Sequence, residues 1–235
     1  MAAAHAQALL AGEQRYDKVM EEYVVDNIGP AYWAQVWPSA LALSKLLLER
    51  GPSMFMGKQS TVLELGCGLG LASICAAKAG ATNVVATDVE DSALAFTLAN
   101  AVENGVDGVA ATESDTDGSR FSAHRLDWAR PEDSPAARNR AHHYDLVLAA
   151  DVVYDEGAPS LLSPLLHQLT AVDGKVLLTD NADRPYADER RDALLTLLCR
   201  EGDFELVEQR AMEVALESRQ GSRFSIVHCE LVRQS

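Results

Sequence analysis

The period of the apolar positions changes repeatedly along this chain. Short runs of branched apolar residues predict strands at "STVLEL" (60–65), "TNVVATD" (82–88), "YDLVLAAD" (144–151) and "KVLLTD" (175–180), with a weaker one at "RFSAHRLD" (120–127). Between them the spacing becomes helical. "VWPSALALSKLLLERG" carries the stripe Leu41, Leu43, Leu46, Leu47, with Pro38 at the first position and Gly51 as the expected stop. Leu71 to Ala79 reads as a helix closed by Gly80. Residues 91–105 read as a helix with Leu94, Leu98 and Val102 on one face and Gly105 as its end. Two more helices follow, "APSLLSPLLHQLTA" and "ADERRDALLTLLCREG". The chain ends in two alternating segments, "FELVEQRAMEVAL" and "RFSIVHCELV", joined by the polar "ESRQGS".

Strand–helix alternation predicts a parallel sheet covered on both faces, an α/β doubly wound (Rossmann-like) fold. The last two strands have no helix between them, so they should form a hairpin with an antiparallel member. There are no internal repeats. "ATESDTDGS" (111–119) and "ARPEDSPAARNRAHH" (129–143) read as loop insertions, and residues 1–30 as an N-terminal extension to a domain over 31–235.

The net charge of −15, from 35 acids and 20 bases, argues against nucleic acid as the main partner and suits a basic protein segment. No apolar stretch approaches the length of a membrane span. Cys67, Cys75, Cys199 and Cys229 form no CxxC pair, and they read as reduced thiols of an intracellular, cytoplasmic protein. His124 and His228 lack the sequence spacing of a metal site, and His142 and His143 lie in a polar loop.

The chemistry centres on "LELGCGLG". Gly66, Gly68 and Gly70 follow a strand and open a helix, where a doubly wound sheet binds ligands. Asp88 ends the next strand, placed to take a ribose diol. Dinucleotide and S-adenosylmethionine sites share these features. The dinucleotide fingerprint G-x-G-x-x-G has its third glycine where this chain has Leu71. Glu64 ahead of the loop would repel a pyrophosphate but suits a ligand carrying an ammonium and a sulfonium. Both details favour S-adenosylmethionine.

With Asp88, "LDW" (126–128), "DVVYD" (151–155) and the upstream "YWAQVWPSA", the loop resembles the S-adenosylmethionine-dependent methyltransferases. Within them it resembles the family-16 lysine methyltransferases and the related nicotinamide-N-methyltransferase-like proteins. The resemblance runs from about Tyr32 to the final strand. It implies a seven-stranded sheet, mostly parallel, with an antiparallel strand from the C-terminal hairpin. It implies that Glu64, Gly66, Cys67, Gly68 and Gly70 pass along the amino-acid end and ribose of the cofactor, and that Asp88 takes the ribose hydroxyls. Val89, Asp127 and Trp128 would border the adenine, with Trp37 and Ala150 lining the pocket. Asp151 and Tyr154 match the family's [D/E]-x-x-[Y/F] motif and are the expected catalytic pair.

Each role has a structural alternative. Trp128 could fill core, Trp37 could be a helix-start staple, and Asp151 could cap its loop. Asp180 could line the acceptor channel or a turn. Asn100 and Asn104 read as helix-end caps. The expected activity is methylation of a lysine side chain on a partner protein. A small-molecule N-methyltransferase, acting on an amine or a nicotinamide-like compound, and a non-catalytic S-adenosylmethionine-binding protein are the alternatives.

Overall fold

The computed structural model describes residues 32–56, 59–109, 120–138, 144–201, 203–216 and 222–234. The N-terminal extension, the 111–119 insertion, His142, His143 and most of the last turn lie outside the described residues.

Seven strands form one sheet: β1 (Thr61–Leu65), β2 (Asn83–Asp88), β3 (Phe121–Arg125), β4 (Tyr144–Ala150), β5 (Thr170–Asn181), β6 (Phe204–Leu216) and β7 (Ser222–Arg233), in the order β3-β2-β1-β4-β5-β7-β6. β1 to β5 run parallel, while β7 pairs antiparallel with both β5 and β6. The hairpin therefore inserts its returning strand between β5 and its own first strand, as the resemblance implied.

The central strands β1 and β4 are mostly apolar and buried because both sheet faces are covered there. Successive residues divide between two cores. Val62, Leu146 and Leu148 point into one, with Leu46 and Leu47 of α1 (Pro38–Phe55), Ile74 of α2 (Leu71–Lys78) and Leu94 of α3 (Asp91–Glu103). Leu63, Leu65, Val147 and Ala149 point into the other, where the short α4 (Pro135–Arg138), α5 (Ala158–Leu169) and α6 (Ala187–Thr196) pack. Each fully buried leucine contributes about 1.5–3 kcal/mol of transfer free energy.

Three sequence expectations change. α1 runs through Gly51 to Phe55 instead of stopping. Gly51 is buried where a Cβ would lie 2.5 Å from that of Ala79, so it lets α1 and α2 approach closely. Val102 points to solvent, and the buried face of α3 is Ala93, Leu94, Thr97, Asn100 and Ala101. The second insertion is partly helical, because Ala136 and Ala137 bury into the core and the Tyr144 hydroxyl donates to the Ala136 carbonyl at 3.0 Å. All four cysteines are unpaired, and among the described residues no helix is long and apolar enough to cross a membrane.

Candidate functional site

A cavity of about 960 Å³ opens at the carboxyl edge of β1, β2 and β4. The parallel order puts the loops after these strands side by side. Glu64, Gly66, Cys67 and Gly68 come from the β1 loop, and Asp88 and Val89 from the β2 end. Asp127 and Trp128 follow β3, Ala150, Asp151 and Tyr154 end β4, and Trp37 closes the side facing α1. The expected residues thus converge on one space, except Gly70. It lies behind the loop, where a Cβ would come within 2.6 Å of Thr97 Cγ2, and with φ +80° it turns the chain into α2.

The glycine loop is held from three sides. The Cys67 N–H donates to the Thr87 carbonyl at 2.8 Å, and the Gly68 N–H to Asp88 Oδ2 at 2.9 Å. From α3, Thr97 Oγ1 donates to the Gly68 carbonyl at 3.0 Å and Asn100 Nδ2 to the Leu69 carbonyl at 2.9 Å. Asn100 is therefore a loop clamp and not a cap, while Asn104 does cap, donating to the Asn100 carbonyl at 2.8 Å. From the N-terminal side, the Trp33 carbonyl lies 2.9 Å from where a Gly68 Cβ would be. Trp128 covers Gly66, its ring 3.5 Å from the corresponding Cβ position.

The carboxylates differ in setting. Glu64 is buried, and Oε2 accepts from both the N–H and the hydroxyl of Ser73. Burial dominates and pushes its pKa up to about 7. Burial also raises Asp88, against the N–H groups of Gly68 and Glu90 that its two oxygens accept. Asp127 sits below the usual carboxylate range, held by the Ala129 N–H and by Arg130.

Asp151 is the strained member. It has φ +61°, a conformation few side chains adopt, and its side chain is only 3% exposed. Burial raises its pKa and Arg184 opposes that, with Nη2 2.7 Å from Asp151 Oδ2. The Arg184 guanidinium also lies 5.9 Å from the Trp37 ring centre, within reach of a cation–π contact. Tyr154 is half exposed, and its ring centre stands 6.3 Å from that of Trp128.

Asp180 leaves the wall. It is fully buried below Asp151, 3.5 Å from Arg191 Nη1, and burial pushes its pKa up to about 7. Arg184 and Arg191 carry no sequence signal, being two basic residues in the polar stretch around the start of α6. His228 lies far in sequence from Glu208 yet close to it and to Glu230 across β6 and β7, with ligand atoms within 4.8 Å of one another. Those carboxylates are already paired with Arg50, Lys175 and Arg210.

The wall fits the expected cofactor. The cradle admits a ligand against bare backbone at Gly66 and Gly68, Asp88 offers acceptor oxygens to a diol, and the acidic wall suits a cationic group.

Comparison with known proteins gives the family and the fold. A family profile described as lysine methyltransferase (methyltransferase family 16) matches residues 17–191. The electron transfer flavoprotein beta subunit lysine methyltransferase of Danio rerio is 30% identical over 158 residues, 67% of this chain and 52% of that protein. The protein N-lysine methyltransferase METTL21A of the same organism is 39% identical over 147 residues, 62% of this chain and 59% of that protein. The chain thus spans between about half and three-fifths of the length of these relatives. Among solved structures, the N-methyltransferase NodS of Bradyrhizobium japonicum, in complex with S-adenosyl-L-homocysteine, superposes with a TM-score of 0.60 at 16% identity, covering 94% of this chain and 98% of that one. That likeness establishes the same fold. With the family match spanning most of the chain, the protein belongs to the lysine methyltransferase family.

Proposed function

We propose that the protein is an S-adenosylmethionine-dependent N-methyltransferase acting on a lysine side chain of a partner protein. One observation carries this reading. Asp151, a buried carboxylate at the end of β4, lies on the wall of the cavity that the glycine loop lines, and it already holds a side-chain cation. The relatives, each a protein-lysine methyltransferase, support the same reading.

Bound S-adenosylmethionine supplies an electrophilic methyl group on a sulfonium. Glu64 and the loop from Gly66 to Gly68 would hold its amino-acid end, Asp88 its ribose, and Val89, Asp127 and Trp128 its adenine. The chain's remaining task concerns the acceptor. A lysine amine has a pKa of about 10.4, so exposing its lone pair near neutral pH costs roughly 4–5 kcal/mol. The aromatic groups Trp37 and Tyr154 on the cavity wall desolvate the acceptor and lower that cost. The Asp151 carboxylate holds the ammonium on arrival and, once the proton has passed to solvent water at the cavity mouth, orients the neutral amine. Most of the rate gain then comes from alignment.

The direct test incubates the purified protein and radiolabelled S-adenosylmethionine with cell lysate and identifies labelled residues by mass spectrometry. Label on lysine of one or a few proteins is the expected result. Label confined to small molecules would move the acceptor class to metabolites, and no label with intact donor binding would remove catalysis.

Donor affinity should also depend on pH. A cationic donor end favours ionised Glu64, whose pKa burial pushes up to about 7. Binding should therefore weaken about 20-fold between roughly pH 7.5 and pH 5.5. Isothermal calorimetry with S-adenosylhomocysteine reads this, and Glu64→Gln should flatten the profile. The linked stability has the opposite slope. A carboxyl raised in the folded state adds stability below its ordinary value near 4.5, and loses it as pH rises through about 7.

A further inference from the structure

Arg184 sits where the acceptor cation is expected. Its Nη2 is 2.7 Å from Asp151 Oδ2, and its guanidinium carbon is 5.9 Å from the centre of the Trp37 ring. A carboxylate and an aromatic face are what a lysine ammonium would seek. The guanidinium forms part of the cavity wall and leaves Asp151 with only 3% of its side chain exposed.

Resting on the methyltransferase reading of the cavity, we infer that Arg184 is an internal occupant of the acceptor-cation subsite. The substrate ammonium must displace it from Asp151 and Trp37 before methyl transfer. Arg184 is a gating residue, and it takes no part in bond making.

Charge balance favours exchange over joint occupancy. The buried groups packed here are two carboxylates, Asp151 and Asp180, and two guanidinium groups, Arg184 and Arg191, with Asp188 paired to Arg191 at the exposed edge. Asp180 is fully buried and Arg191 is 4% exposed. An ammonium added beside Arg184 would set two cations against the single buried Asp151 carboxylate, which is unfavourable. Replacing one cation by another leaves the charge of the site unchanged.

The structure also gives Arg184 a way out. It projects from the short loop between β5 and α6, and its side chain keeps 20% exposure at the cavity rim. The pair spares Asp151 the penalty of an unpaired buried charge. It also screens the subsite against cations too weakly bound to compete.

An occupant lowers the apparent affinity of any competitor by the fraction of time the subsite is open. The probe is n-butylammonium, a mimic of the lysine side chain, titrated by NMR into the full chain without methyl donor. The titration is run near pH 8.5, so that Asp151 and Asp180 stay ionised once Arg184 is neutralised. Arg184→Gln, which keeps the length and loses the charge, should bind the probe at least about tenfold more tightly than the wild type. Arg184→Lys should stay close to the wild type, because it retains a cation. Asp151→Asn in the Arg184→Gln background should abolish the gain. Unchanged or weaker binding in folded Arg184→Gln would overturn the proposal, since a merely structural arginine has no reason to exclude the probe. A separate titration with S-adenosylhomocysteine keeps the outcomes apart: failure of the wild type to bind it removes the methyltransferase reading and leaves the cation-exchange result standing.

Discussion

Replacing Asp151 with asparagine is expected to lower methyl transfer to protein lysine at least about 100-fold while changing donor affinity by less than about threefold. The asymmetry follows from where Asp151 stands. Its carboxylate faces Arg184 at the β4 end, whereas the proposed donor contacts come from the β1, β2 and β3 loops. Asparagine keeps the size and can hydrogen-bond, but it cannot offset the charge of an ammonium at a buried position. The fold should tolerate the change. Asp180 loses the repulsion of a neighbouring carboxylate, one of the causes that raise its pKa, and Arg184 can turn to solvent. Single-turnover rates with labelled donor, beside calorimetry of S-adenosylhomocysteine binding, separate the two quantities. Equal loss in both would make Asp151 part of the donor site or of the fold. A rate within a few-fold of the wild type would leave it as a loop cap.

Replacing Gly68 with valine is expected to weaken donor binding by more than about 100-fold. Two independent penalties act. The backbone there has φ +52°, a left-handed conformation that costs a branched residue about 1–2 kcal/mol or more. The added Cβ would also lie 2.9 Å from the Trp33 carbonyl oxygen, so either the loop or the segment carrying Trp33 and Trp37 must move. Both border the cavity, and either movement spoils it. The sheet does not depend on this contact, so far-ultraviolet circular dichroism should be retained while calorimetry detects little binding. Gly68→Ala should fall between. Near-normal affinity in the valine variant would take the glycine loop out of the donor site.

The sequence carried much of this in its periodicities. Apolar runs at strand length, separated by helical spacing, required a parallel sheet buried on both faces, and β1 with Leu63 and Val62 facing opposite cores is the direct result. Parallel strands bring their carboxyl ends to one edge. Acids that end strands, Asp88 and Asp151, and the glycine loop therefore had to meet. The C-terminal hairpin was legible because no helix intervenes between β6 and β7.

Other features were decided only when the chain packed. Gly51 has the sequence signature of a helix stop, yet close contact with Ala79 makes it a helix-interior residue. Asn100 has the signature of a cap, yet the approach of α3 to the β1 loop aims its amide at the Leu69 carbonyl. Arg184 has no signature at all. Its meeting with Asp151 depends on how the loop after β5 falls beside the end of β4, as the limit on Gly68 depends on where the Trp33 carbonyl comes to rest. Sequence periodicity encodes contacts between near neighbours and the faces they share. A bond from a side chain to a distant backbone carbonyl, or a charge pair between two loops, repeats with no period and exists only where the folded elements place its ends.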